Sequence, residues 1–273
     1  GLTGMRIIKA ILAGERDARK LVEEHRHGGC HTSAEVMMQS LVGNFRPEHL
    51  FALQQAVELY EEYQTKIAAC EAAIEEYLKT LEPVTEAQRP EPPTGSGTKK
   101  AAEFAFDVRA EMYRQVGVDL FRLPGFNEET VLRLLSETGR DLSRWPSEKH
   151  FASWLSLCPG TKKTGGKVLS SRTQPNRNRA AEALRRAAVS AGRTETSLGA
   201  YFRRKRAQKG PAGAVTATAH KLAKLYYVLV KEQQEYEPEQ AAEYEAKQQA
   251  RRLKKLERQA AELGYELRAR AAC

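Results

Sequence analysis

Between residues 158 and 172 the chain reads Cys-Pro-Gly-Thr-Lys-Lys-Thr-Gly-Gly-Lys-Val-Leu-Ser-Ser-Arg, which packs hydroxyls, glycines and fixed cations into one short loop. A loop of that make-up suits a phosphodiester. Thr161, Thr164, Ser170, Ser171 and Thr173 offer hydroxyls, and Lys162, Lys163, Lys167 and Arg172 offer positive charge. A hydroxyl is a weak nucleophile, so attack on phosphorus needs a nearby base or metal and cations that stabilise the pentavalent charge. The same residue types also hold a phosphate backbone without any chemistry. Residue types alone leave both uses open.

The charge around this loop is concentrated. Fourteen Lys or Arg and only two Glu lie between residues 160 and 210, a larger positive balance than the +9 of the whole chain. Residues 1–98 carry ten basic and fifteen acidic side chains, the opposite sign. Such segregation points to a polyanionic partner for one part of the chain. Beyond the loop cations, the candidate phosphate contacts are Gly165 and Gly166 at the turn, then Arg177, Arg179, Arg185, Arg186, Arg203, Arg204, Lys205 and Arg206.

The elements that must position these residues read as helices. Hydrophobic residues make up 41%, charged ones 29% and aromatic ones 7% of 273 residues, which favours elongated charged helices in about two domains. Residues 5–13 place apolar side chains on one helical face that Gly14 ends, 18–25 form a second helix, and Thr32 or Ser33 caps a third that runs to about Val42. From Pro47 to Glu82 there is no further Gly or Pro, and Leu50, Leu53, Val57, Tyr60, Ile67, Cys70, Ile74 and Leu81 follow a three-and-four spacing. That seam predicts a coiled coil joining two protomers, with an antiparallel hairpin packed on its own domain as the alternative. Residues 83–98, with Pro90, Pro92, Pro93 and Gly95-Ser-Gly97, read as a linker.

A second domain is expected over 99–235, helical from Phe104 through Val108, Met112 and Val116 to Leu120. Leu123-Pro-Gly-Phe-Asn-Glu-Glu-Thr130, leading into Val131, Leu134 and Leu135, has the form of a helix-hairpin-helix turn. In such a turn Gly125 would let helix amides meet a phosphate; the alternative is a hairpin that only packs. Phe151, Trp154 and Leu155 are core candidates of a helix ending near Leu157. Leu184, Ala187, Ala188 and Ala191 line one face of a helix over 179–191. Thr196–Lys209 continues with Leu198, Tyr201 and Phe202 as core, and Gly210-Pro211 separates it from a helix over 214–235. Residues 236–273 form a charged C-terminal helix interrupted at Gly264. No strand is expected, so the fold class is all-α: a small N-terminal helical segment over 1–46, the coil over 47–82, and the C-terminal helical domain.

Cys30, Cys70, Cys158 and Cys273 lie far apart with no CxxC pair, which suggests neither a zinc ribbon nor a disulfide framework and fits a reducing cytosol. His25, His27, Cys30 and His31 cluster, but an ordinary polar loop accounts for them better than a metal site does. No apolar run reaches the roughly 20 residues that span a bilayer, and no signal-peptide layout opens the chain. The expectation is a soluble protein with no membrane partner.

Several segments in the same order resemble one family. Leu123-Pro-Gly through Phe151-Ala-Ser-Trp-Leu-Ser-Leu-Cys-Pro-Gly160, Gly165-Gly-Lys-Val-Leu-Ser-Ser-Arg172, Asn178-Arg-Ala-Ala-Glu-Ala-Leu-Arg185 and Ala217-Thr-Ala-His-Lys-Leu-Ala223 are similar to the C-terminal half of DEDD-type insertion-sequence transposases, the bridge-RNA-guided serine recombinases. The resemblance covers about residues 99–267, and the seam before it is similar to that family's dimerising coiled coil. It implies binding of DNA and a guide (bridge) RNA, a homodimer or higher assembly through 47–82, and a cytoplasmic, nucleoid-associated place in a bacterium. It also implies a serine nucleophile just before the glycine turn, working with Mg²⁺ held by an acidic RuvC-like domain. Here Thr164 takes the serine's position, with Ser170 and Ser171 as weaker candidates, and no acidic domain is found in the chain. The chain is therefore expected to be a fragment, a split partner or a domesticated remnant that carries no cofactor and does not cleave DNA alone. A RuvC-like domain in cis or trans would complete it. A non-catalytic helical architectural dimer and an RNA-only binder are the competing readings.

Overall fold

Ile7 and Ile11 stand one turn apart on α1 (Leu2–Leu12), a spacing that places both on one buried face. The computed structural model describes residues 1–87, 104–170, 173–175 and 177–268, with Lys162, Lys163 and Val168 described by backbone alone. Gly14 follows α1 with φ of 109°, as the expected helix stop. Asp17 accepts the Arg19 amide and opens α2 (Ala18–His25), whose Leu21 joins Ile7 and Ile11. Ser33 accepts the Val36 amide to cap α3 (Ala34–Ser40), and Met37, Leu41, Phe45 and Leu50 close this small core. Pro47 takes the first position of α4 (Pro47–Thr80), where no amide needs a helical partner.

Two compact units divide the chain, Gly1–Ile74 and Glu75–Cys273. In the first, Leu50 and Leu53 are half-buried and Val57 is buried, whereas Tyr60, Ile67, Cys70 and Ile74 of the seam are exposed. In the second, Leu78 is buried and Leu81 packs against the core.

The second unit starts with α5 (Val108–Val116), capped by Asp107 and stopped by Gly117 at φ 77°. That stop keeps the helix from reaching Leu120, which sits instead on a 3-10 turn (Leu120–Arg122) capped by Asp119. There follow α6 (Glu128–Thr138), α7 (Glu148–Trp154), the hairpin β1 (Lys162–Thr164) and β2 (Lys167–Ser170), then α8 (Arg179–Ala191), α9 (Ser197–Glu232) and α10 (Ala241–Glu262). The hairpin corrects the expectation of no strand. Apart from it and one bridge between Thr196 and Gln240, the described residues are helical or irregular, so the class is all-α.

Small side chains set the packing of this unit. α8 buries Ala180, Ala181, Ala183, Ala187, Ala188 and Ala191 beside Leu184, which lets neighbouring backbones approach closely. α9 is two helices in sequence, because Gly210 leaves helical geometry at φ 74° and ψ 176° and Pro211 restarts the chain at a first position that tolerates it. Ala219, Leu222, Tyr226 and Leu229 follow on the buried face, and α7, α8 and α10 pack against α9. Trp154 departs from its expected core place: Phe151 and Leu155 take the buried face of the short α7, which leaves Trp154 37% exposed against Trp145.

Three buried polar side chains of this core pair across elements. The Gln115 side chain donates to the Leu78 carbonyl at 3.0 Å, the Tyr227 hydroxyl donates to the Trp145 carbonyl at 2.6 Å, and Tyr226 shares a 3.0 Å hydrogen bond with Thr138. Burial pushes the Tyr226 phenol up from 10 to about 12, although the Thr138 bond acts the other way. Because the raised value belongs to the folded state, its stabilisation is complete below about pH 10 and is lost as pH climbs to about 12, a loss of about 2–3 kcal/mol. Urea unfolding at about pH 9 and about pH 11.5 is expected to show this loss, and Tyr226→Phe should shrink it; an unchanged slope would contradict the assignment.

Candidate nucleic-acid interface

The loop that carries the candidate chemistry is pinned at its start. α7 ends with Ser156 at φ 52°, and the Leu157 amide reaches back to the Ala152 carbonyl at 3.1 Å, so Leu155 and Leu157 can both be buried. Cys158 follows, half-buried, and burial pushes its thiol up while the Lys224 charge opposes that shift. Such a thiol stays protonated and inert at neutral pH.

From there the chain turns back on itself. β1 and β2 pair antiparallel, with Lys162 opposite Ser170, Lys163 opposite Val168 and Thr164 opposite Lys167, and an irregularity between Lys162 and Lys163. Gly165 and Gly166 make the two-residue turn at φ 51° and 76°. Positive φ at both central positions matches the right-handed twist of the strands and is open to glycine at little cost. Thr164 and Lys167 therefore flank the turn as a cross-strand pair, and both are exposed. Ser170 is half-buried at the other end of the hairpin, away from Thr164. Neither strand packs extensively against a helix, and Leu169 is 67% exposed. Ser171 and Arg172 lie outside the described residues.

The remaining expected cations are distributed over α8, its approach and the first half of α9. Arg177 is exposed just before α8 and Arg185 is half-buried on it. Two α8 arginines are committed to α6 carboxylates: Arg186 to both oxygens of Glu129 at 2.9 and 3.2 Å, and Arg179 to Glu137 at 3.8 Å. Arg203 donates to the Thr194 carbonyl at 2.9 Å and pairs with Glu195 at 3.3 Å. Arg206 is exposed on α9. Arg204 donates to Gln248 at 2.5 Å and to the Tyr244 hydroxyl at 2.7 Å, which ties α9 to α10.

Gly125 has a packing task. Pro124 and Gly125 occupy the centre of a turn closed by the Phe126 amide on the Leu123 carbonyl at 3.1 Å, and Gly125 has φ 88°. Proline then a positive-φ glycine is the type II pattern. A Cβ on Gly125 would lie 2.2 Å from the Ala187 carbonyl oxygen and 2.8 Å from the Ala191 nitrogen, so the turn rests on the α8 backbone. Asn127 satisfies the Thr130 amide at the start of α6, and Glu128 and Glu129 fill its first turn. Their charge disfavours a phosphate at that helix end.

Sequence reasoning missed the group around Tyr201. Phe202 is buried as expected, but Tyr201 is only half-buried, and its ring is faced by Lys205, Lys221 and Arg204. Burial, then Arg204 and Lys209, pull the Lys205 ammonium down; burial and Arg204 do the same to Lys221 against the pull of Glu239. Arg204 and Lys205 follow Tyr201 at helical spacing, but Lys221 joins the group from the part of α9 beyond Gly210 and Tyr244 from α10, which no local spacing signals. Among the described residues no three His, Cys, Asp or Glu side chains gather in a metal-sized cluster, and no helix is long and apolar enough to cross a membrane.

A search of curated proteins finds no match to the chain. Residues 119–203, from the 3-10 turn through α6, α7, the hairpin and α8 into α9, match the family model for transposases of the IS116/IS110/IS902 family, which supports an insertion-sequence transposase relationship for this stretch.

Proposed function

We propose that the second unit is the nucleic-acid-binding transposase domain of an insertion-sequence DNA recombinase, and that the hairpin tip is its strand-exchange site. The observation that carries this reading is the exposed pair of Thr164 and Lys167 at a two-glycine turn inside the matched stretch. The hydroxyl is the acceptor, Lys167 lies across from it to offset charge on phosphorus, and the flanking backbone amides of Gly165 and Gly166 lack a Cβ that would hold a phosphate away. In the reaction the Thr164 oxygen forms a bond to phosphorus while a deoxyribose oxygen leaves and takes up a proton. The threonine proton passes to a base supplied with an acidic RuvC-like partner, whose Mg²⁺ would polarise the phosphate. The methyl on the threonine Cβ restricts χ1 and crowds an in-line approach, so exchange is slower than serine would allow.

DNA and a guide RNA contact Lys162, Lys163, Lys167, Arg172, Arg177, Arg185 and Arg206 in this reading, with Arg179, Arg186 and Arg203 released from carboxylates on binding. Gly125 serves packing. The exposed Tyr60, Ile67 and Ile74 on α4 support a second copy of the chain as the partner of that face.

The test combines the chain with a RuvC-like domain, Mg²⁺ and element-end DNA, and looks for a covalent protein–DNA adduct on a denaturing gel. The parent is expected to form it weakly, Thr164→Ser more strongly and Thr164→Val not at all. An adduct that survives Thr164→Val overturns the nucleophile; no adduct with either hydroxyl favours a non-catalytic architectural dimer.

A further inference from the structure

Arg204, Lys205 and Lys221 crowd two tyrosine rings. The Lys221 Nζ lies 5.0 Å from the Tyr201 ring centre and 5.4 Å from that of Tyr244, and the Arg204 guanidinium carbon lies 5.7 and 5.5 Å from the same two rings. Lys205 Nζ approaches Tyr201 from 5.6 Å. Three cations thus share one aromatic platform built from α9 and α10. Among the described residues none of the three is ion-paired, in contrast to Arg179, Arg186 and Arg203. Glu239, whose charge favours the protonated Lys221, is itself bonded to Lys247 at 2.6 Å. The Arg204 Nε is buried without a hydrogen-bond partner, a donor left over after Gln248 and Tyr244 are served.

The ring contacts favour each cation, but the mutual repulsion and desolvation of three like charges oppose them, and a bound anion would offset both. We infer that Tyr201, Arg204, Lys205, Lys221 and Tyr244 form an oxyanion site for a backbone phosphate of nucleic acid, which makes α10 part of the binding surface. A phosphodiester fits better than a protein carboxylate. The cluster overlaps the basic run Arg203-Arg-Lys-Arg206, and cations of this kind are the usual partners of backbone phosphates, while the buried Tyr244 holds Arg204 through its hydroxyl. Of the five residues only Tyr201 lies within the matched residues 119–203, so the site extends the interface past them. The downward pull on both lysines fits this arrangement, since a bound anion would favour their charged form.

This inference rests on the nucleic-acid reading, and the test separates the two. Affinity of the full chain for a duplex oligonucleotide is measured across a salt series for the parent, Lys221→Gln, Lys221→Arg and the hairpin variant Lys167→Gln, with circular dichroism as the check on folding. One lost phosphate contact predicts about an 8-fold weaker affinity near 0.1 M salt and a slope shallower by about 0.9 for Lys221→Gln. Lys221→Arg should restore most of the affinity, and tripolyphosphate should raise the melting temperature of the parent but not of Lys221→Gln. A folded Lys221→Gln with parental affinity and slope, beside a weakened Lys167→Gln, overturns the inference and leaves the wider reading standing. If Lys221→Gln does not fold, a Lys221→Arg chain that folds and binds no better than background overturns it too. A parent that binds neither DNA nor tripolyphosphate overturns both, and polyglutamate bound as tightly as DNA overturns the phosphodiester assignment.

Discussion

Replacing Lys162, Lys163 and Lys167 together by glutamine is expected to weaken DNA binding about 500-fold near 0.1 M salt. The estimate follows from counterion release: each phosphate neutralised contributes a slope of about 0.9 in log affinity against log salt, so one contact is worth about 8-fold at that concentration and three multiply. All three residues belong to the hairpin, which has little helical packing to lose. The fold should therefore survive, and circular dichroism and the unfolding midpoint should match the parent. Neutralising Lys9 and Lys66 instead, on the acidic first unit, should leave the affinity within about 2-fold, because their charges pair locally with Glu61 and Glu62. Fluorescence anisotropy with a labelled duplex reads both variants. A triple variant that binds within about 5-fold of the parent would remove the hairpin from the interface.

Gly125→Ala is expected to destabilise the second unit by about 3 kcal/mol or more. Two costs combine there. The left-handed φ of 88° is unfavourable for any residue with a Cβ by about 1–2 kcal/mol. The added carbon also lies 2.2 Å from the Ala187 carbonyl oxygen, which as helix backbone cannot swing aside like a side chain. The turn must lift from α8, and Leu123 and Phe126, buried on either side of it, must follow. Gly264→Ala is the control: its φ is 78°, but no atom lies within 4 Å of the new Cβ, so it should cost about 1 kcal/mol. Urea unfolding of both variants checks the contrast, and equal losses would show that close approach to α8 does not matter.

Most of the helical frame was legible because its signals are local. Asp17 and Ser33 cap the helices they precede, Gly14 ends α1, Gly210-Pro211 interrupts α9, and the alanine face of α8 is buried as its spacing predicts. The hairpin escaped because strands of three and four residues are too short to display alternation, although Gly165-Gly166 between Thr164 and Lys167 was the available signal. The task of Gly125 was hidden for another reason: a Leu-Pro-Gly turn is readable, but that it rests on Ala187 depends on how α8 crosses it. The same holds for Tyr201, Lys221 and Tyr244, which meet through tertiary packing alone. At the candidate site the residue types were legible, while the pairing of Arg179 and Arg186 with α6 carboxylates was not.

The central claim is that the positive charge of the second unit grips phosphates, and a salt titration of DNA affinity tests it most directly. Log affinity against log salt is expected to be linear for the parent with a slope steeper than about −4, and shallower by about 2.7 for the hairpin triple variant. A parental affinity that stays constant from about 0.05 to about 0.2 M salt would contradict the account.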